Sequence, residues 1–237
     1  MPPENFKSQE TLNKIVDWTS DNKMKLNNKK TEVMIFNFTR DYQFSTRLYL
    51  EDSLLEIVTQ TKLLGTIISS DLKWQSNTSM LVKKAYQRMV ILHKLYSFKM
   101  PVCELVNIYI LYLRSILEQS CQVWHFAITE EEKNELERVQ KVACKVILDS
   151  EYTDYEAALE ILSLEKLSDR RDQLCLRFAK KCLKFDQTKD MFPLNPPNLC
   201  NTRDGEKFRV KFASKDRLLT SSIPQLQRLL NLDARSK

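Results

Sequence analysis

The sequence predicts a mainly α fold: an antiparallel helical bundle with a small N-terminal α+β unit and an extended C-terminal tail. Beyond Asp71, apolar residues recur at helical spacing in one segment after another. Before it, the apolar runs are short, alternating and rich in β-branched and aromatic residues, as in strands. Glycine occurs only 2 times in 237 residues, against about 17 at the usual ~7%. Gly65 and Gly205 are far apart, and no GxGxxG, GxxxxGKS/T or GxSxG occurs. Folds that need glycine-rich turns to approach a phosphate or present a nucleophile are thereby excluded.

Taken in order, residues 8–22 read as a helix with Leu12, Ile15, Val16 and Trp18 on its apolar side, ended by the polar run Asn27, Asn28, Lys29, Lys30. Residues 31–38, 47–50, 54–58 and 63–68 follow as short strands, with Glu51, Asp52 and Ser53 as a turn. Val82, Ala85, Tyr86, Met89, Leu92, His93 and Tyr96 then form one helical stripe. A second long helix begins at Pro101, a residue suited to a first turn, and runs to about Cys121. A third begins at Thr129, with Glu130, Glu131 and Glu132 at the positive end of its dipole and Leu136, Val139, Ala143, Val146 and Ile147 as its seam. A short helix over 154–162 and a longer one over about 164–185 complete the block. Pro193, Pro196 and Pro197 end it, because proline removes donors and disfavours helix in the residue before it. The predicted parts are 1–75, 76–192 and 193–237. No period of repeat-protein length recurs.

The formal net charge of +6 is unevenly spread: residues 201–237 hold nine Lys and Arg against four Asp and Glu, and the first 200 hold 28 against 27. A nearly neutral body with a basic tail points to an anionic partner. The most apolar stretch, 105–117, is interrupted by Asn107 and Arg114 and suits a buried helix rather than a membrane span. With no basic and apolar leader at the N-terminus, the expected localisation is intracellular, cytoplasmic or nuclear, and the six cysteines are expected to be reduced.

Cys121 and His125, four residues apart, suit a shared ion on a helix, but a structural zinc needs four ligands and no second pair follows. His93 lies in an apolar stripe and reads as a core-edge residue rather than a base. Two-metal phosphoryl or nucleotidyl transfer needs converging carboxylates, and no Asp-Asp dipeptide occurs. The positive feature is basic. Lys83, Lys84 and Arg88, then Arg138, Lys141 and Lys145, then Arg170, Arg177, Lys181 and Lys184, stand on three predicted helices. Such stripes can follow a phosphate backbone. Glu135, Glu137 and Asp172 nearby support the competing reading of ordinary solvated faces.

One stretch is recognisable. Trp18-Thr19-Ser20-Asp21-Asn22-Lys23-Met24-Lys25-Leu26-Asn27-Asn28-Lys29-Lys30-Thr31 resembles the W…N…LN..KT segment that follows the catalytic Asp-Asp motif in non-LTR (LINE-type) retrotransposon reverse transcriptases. Later landmarks agree in order. Leu63-Leu64-Gly65 with Leu72-Lys73-Trp74 is similar to that family's LG…LxW, and Lys84-Ala85 with Arg88 to its KA..R helix. Arg114-Ser115 to Trp124-His125 is similar to RS-x-LE…C..VWH, Leu136 to Ala143 to LE.VQK.A, and Leu167 to Arg171 to L..RR. The tail elements Glu206-Lys207-Phe208 and Ile223-Pro224 with Leu229-Leu230-Asn231 resemble the end of such polyproteins.

The resemblance covers nearly the whole chain and implies the late palm, the thumb and the C-terminal region, without the catalytic palm and endonuclease. It implies a thumb-like bundle that grips a template–primer duplex, and it makes Lys30, beside Thr31, the counterpart of a lysine near the incoming nucleotide. The intact family enzyme uses Mg²⁺, held by aspartates without a counterpart here, so no cofactor is expected. The expected function is that of a catalytically inactive fragment of an RNA-directed DNA polymerase. It would bind RNA–DNA hybrid or duplex nucleic acid independently of sequence through Lys30 and the three stripes, with no membrane or small-molecule partner. The alternative is a helical protein-interaction module, or a transposon relic without nucleic-acid binding.

Overall fold

The computed structural model describes residues 4–38, 47–195, 207–210 and 216–235, so Pro196, Pro197, Cys200 and Glu206 lie outside the described residues. The fold is mainly helical and divides into two compact units, Met1–Lys73 and Trp74–Lys237.

The first unit holds α1 (Glu4–Asp21), a 3-10 turn (Asn28–Lys30) and six strands: β1 (Glu32–Val33), β2 (Tyr49–Leu50), β3 (Ser53–Leu54), β4 (Glu56–Ile57), β5 (Gln60–Leu63) and β6 (Thr66–Ser69). They pair as three two-stranded sheets: β1 with β4 in parallel, and β2 with β3 and β5 with β6 as antiparallel hairpins. The strand expected over 31–38 pairs only at β1. The segment 63–68 is not one strand but the tip of a hairpin, because Leu64 (φ 48°) and Gly65 (φ 88°) take the left-handed backbone that a tight two-residue turn requires. Glycine pays no Cβ penalty there. The segment 54–58 also divides: Leu55 turns inward, 5% exposed, between β3 and β4, which pair with different strands.

This unit buries little. Of the four apolar residues expected on the inner side of α1, Ile15 and Trp18 are 47% and 58% exposed, while Thr19 is buried. The helix is tied to β2 by Gln9, whose Oε1 accepts from the Tyr49 backbone N–H (2.9 Å) and whose Nε2 donates to the Tyr49 carbonyl (2.8 Å). Exposed hydrogen bonds of this kind stabilise by about 1 kcal/mol each at most. Amide exchange is therefore expected to be faster over 8–70 than over 129–185; slower exchange in the first segment, read by mass spectrometry, would contradict this.

The second unit begins with α2 (Gln75–Ser97), followed by α3 (Val102–Ile108), a π-helical turn (Tyr109–Arg114) and α4 (Ser115–Leu117). Next come α5 (Cys121–Trp124), α6 (Glu130–Leu148), α7 (Tyr155–Ile161) and α8 (Leu167–Cys182). Beyond them lie α9 (Asp186–Lys189), α10 (Asp216–Leu219) and α11 (Ser222–Arg235). Its core is the seam that α2, α3 to α4, α6 and α8 share: Leu81, Ala85, Met89 and Leu92; Leu105, Tyr109, Leu113 and Leu117; Leu136, Val139, Ala143 and Ile147; Leu167, Cys175 and Ala179.

Three expectations are corrected. The helix predicted from Pro101 to Cys121 breaks before its end: Ser120 takes φ 53°, so Cys121 and His125 stand on a new short helix. His93 is exposed, and the buried side of α2 runs through Asn77, Thr78, Leu81, Ala85, Met89 and Leu92 instead. The tail is not extended throughout. In α11 Pro224, Leu226, Gln227, Leu230 and Asn231 are buried at helical spacing, and the helix packs on α8 and α5. Pro224 sits in the first turn, where its missing N–H costs no intrahelical bond. Asn231 clasps Phe208, accepting from its N–H (2.8 Å) and donating to its carbonyl (3.0 Å).

Candidate nucleic-acid interface

The α6 stripe depends on how α6 is fixed. Thr129 Oγ1 accepts from the Glu132 N–H (3.2 Å) and Glu132 Oε2 accepts from the Thr129 N–H (2.7 Å), a reciprocal cap. Glu132 is itself buried, and its other oxygen accepts from Thr78 Oγ1 of α2 (2.9 Å). About two turns further, buried Gln140 accepts from the Tyr109 hydroxyl and donates to the Tyr155 hydroxyl and the Glu165 carbonyl (2.9 Å each). The Tyr155 hydroxyl donates to Glu137, whose carboxylate also accepts from the Leu167 N–H. Burial, with the Glu137 charge beside it, pushes the Tyr155 phenol far above its ordinary range, so it stays a neutral donor. These bonds fix the rotation of α6 about its axis. The buried residues found are Gln140 and Cys144 in place of the half-exposed Val146 expected in the seam.

That rotation turns Arg138, Lys141 and Lys145 outward. All three are exposed, and none pairs with a carboxylate among the described residues. Lys141 Nζ lies 4.9 Å from the Tyr155 ring centroid and Lys145 Nζ 5.2 Å from that of Tyr152. Two aromatic faces thus prop two ammonium groups at the surface while leaving their donors free for an anion.

The other stripes are less uniform. On α8, Arg177 and Lys181 are exposed, and Lys184, placed by the sequence on the same helix, is exposed just beyond its end at Cys182; none forms an ion pair among the described residues. Arg170 is half-buried, and its Nε donates to Glu118 (3.1 Å), which also pairs with Arg114 at 3.5 Å. On α2, Lys83 points away from the core, Lys84 is half-buried at its edge, and Arg88 donates to the Tyr112 carbonyl (3.3 Å). Lys30 is exposed at the end of the 3-10 turn in the other unit. No hydrogen bond, ion pair or ring contact among the described residues joins the α6, α8 and α2 groups. The residues brought together are those of α6 with the two tyrosines.

In the sequence Cys121, Trp124 and His125 belong to one landmark and Arg171 to another; the structure joins the two where α5 meets α8. Arg171 is fully buried, with its guanidinium 5.7 Å from the centroid of buried Trp124. Arg171 Nε donates to His125 Nδ1 (3.1 Å), which leaves His125 Nε2–H to donate to Asp172 (3.0 Å). Both imidazole nitrogens are therefore engaged, which removes His125 from metal ligation. Among the described residues no group of three His, Cys, Asp or Glu could hold a metal ion.

Burial holds the His125 pKa below its ordinary range, against the hydrogen bond that the ring donates to Asp172. In the unfolded chain a histidine takes up a proton near pH ~6.5. The folded chain resists that proton, so acid favours unfolding. Stability is thus complete above that value and falls as pH drops below it. Tm is expected to be lower at pH 5.5 than at 7.5, and His125→Gln, whose amide can serve both neighbours, should shrink that difference. An unchanged difference would contradict the account.

In the first unit a groove of about 300 Å³ is lined by Val16, Thr19, Met24, Lys25, Asn28 and Leu50 among others, and Lys30 is not part of it. Among the described residues no helix is long and apolar enough to cross a membrane. No protein-family model, curated protein or solved structure matches this chain.

Proposed function

We propose that this chain is a thumb-like relative of the C-terminal part of a non-LTR retrotransposon reverse transcriptase, inactive as a polymerase on its own, that holds a nucleic-acid duplex by its backbone. The observation that carries the reading is the outward face of α6: three exposed cations, free of carboxylate partners among the described residues, two of them propped on tyrosine rings. The pattern suits phosphates spaced along a strand, because each neutralised phosphate releases counterions and no base need be read.

The sequence landmarks support the ancestry. The C..VWH and L..RR elements lie far apart in sequence and meet through His125, Trp124 and Arg171, so they read as one packing unit that a thumb would need. Polymerase chemistry has no support among these residues, since no Asp-Asp pair occurs in the 237. The second reading, a protein-interaction module, draws on exposed apolar residues of the second unit, Leu111 at 66% and Phe98 at 78%. Fluorescence anisotropy of a labelled RNA–DNA hybrid at low salt tests between them. The duplex reading expects submicromolar Kd; no change in anisotropy from a chain shown folded by circular dichroism would reject it.

A further inference from the structure

Two pairs of side chains meet across α5 and α8 with the same spacing. Cys121 and His125 stand one turn apart on one side, Arg171 and Cys175 one turn apart on the other. The bond from Arg171 Nε to His125 Nδ1 (3.1 Å) is one rung of this ladder. Cys121 and Cys175, neighbours that shift each other's proton affinity, are the other. Both cysteines are free thiols with no solvent exposure. The two terminal nitrogens of Arg171 have no hydrogen-bond acceptor among the described residues, so its charge has no hydrogen-bonded carboxylate to neutralise it.

We infer that Cys121 and Cys175 form a reversible dithiol–disulfide pair oxidised by a hydroperoxide. The Cys121 sulfur attacks one peroxide oxygen, the O–O bond breaks, and the leaving oxygen departs as water or alcohol with the thiol proton. Cys121 is then a sulfenic acid. The Cys175 sulfur attacks it, the S–O bond breaks, and hydroxide leaves as water with the Cys175 proton. Two thiols and one hydroperoxide thus give one disulfide, one water and one water or alcohol, the sulfurs being oxidised and the peroxide reduced.

The order of attack follows from the surroundings. The neighbouring Cys175 thiol, aided by the Arg171 charge, draws the Cys121 thiol below its ordinary range, whereas the neighbouring Cys121 and burial push Cys175 above its own. Cys144 is pushed up to about 12 by burial and stays inert. Access comes through α5, which is 4 residues long and follows the left-handed Ser120 (φ 53°). Opening so short a helix exposes the pair without unfolding α8.

The test uses the full chain carrying Cys103→Ser and Cys200→Ser, which leaves Cys121, Cys144, Cys175 and Cys182. Native protein is treated with hydrogen peroxide, alkylated in denaturant, digested and mapped by mass spectrometry. The expected result is one linked peptide pair joining Cys121 to Cys175, cleaved by dithiothreitol, with Cys144 and Cys182 fully alkylated. Full alkylation of Cys121 and Cys175, a link to Cys144 or Cys182, or sulfinic acid at either site without a link would overturn the proposal. Adding Cys175→Ala should stop the reaction at a Cys121 sulfenic acid trapped by dimedone. An untrapped Cys121 in that folded variant would also overturn it, and the mapping of the parent chain decides alone if the variant does not fold.

Discussion

Reversing the α6 stripe in one variant, Arg138→Glu with Lys141→Glu and Lys145→Glu, is expected to weaken hybrid binding by at least ~30-fold at low salt and to flatten the salt dependence by about 2 to 3 units of slope. The arithmetic is that of counterion release, roughly 0.9 in slope for each phosphate neutralised. The three side chains lie outside the core and form no ion pairs among the described residues, so the fold should survive their reversal. The loss of two ring contacts, with Tyr155 and Tyr152, lowers stability by only about 1 kcal/mol in all. Circular dichroism separates the two effects. An equal loss of affinity from reversing Lys83, Lys84 and Arg88 instead would place the duplex on α2 and contradict the assignment of α6.

Trp124→Ala is expected to remove about 3–5 kcal/mol of stability. The indole is fully buried, its Nε1–H donates to the Gln119 carbonyl (2.9 Å), and its face lies against Arg171. Truncation opens a cavity at the junction of α5 and α8, leaves that carbonyl without its donor, and strips a buried guanidinium of the ring beside it. For a unit of this size the Tm should drop by roughly 10 °C. Trp18→Ala is the contrast: at 58% exposure the same truncation removes little burial and should cost under about 1 kcal/mol. Similar losses for the two would contradict the burial assigned to each.

The helices of the second unit were legible where a stripe and a stop signal agreed. Thr129 and Asp154 stand at the starts of predicted helices and are caps in the structure, with side chains accepting from Glu132 and Ala157. The misreadings have local causes. No glycine marks the left-handed backbone at Ser120, so the apolar periodicity runs α5 into the helix before it. Leu64 and Gly65 read as strand because the turn they form lies inside an apolar run. In the tail, basic composition masks Ile223, Leu226 and Leu230, whose spacing is that of a helix and fits α11. Of the candidate interface, the charges were visible but their surroundings were not. Which cation meets a tyrosine and which meets Glu118 depends on residues 7 to 52 positions away, beyond the reach of any periodicity.

The cations of α6 stand on the surface because Gln140, Glu137 and Glu132 fix the helix from within. The most direct test of their use is hybrid affinity across a salt series at fixed pH. Backbone recognition by α6 predicts that log K falls linearly with log salt, with a slope of about −3 or steeper, and that RNA–DNA hybrid and duplex DNA of different sequences behave alike within a few-fold. A slope near zero, or a preference for one sequence over another at equal length, would contradict it.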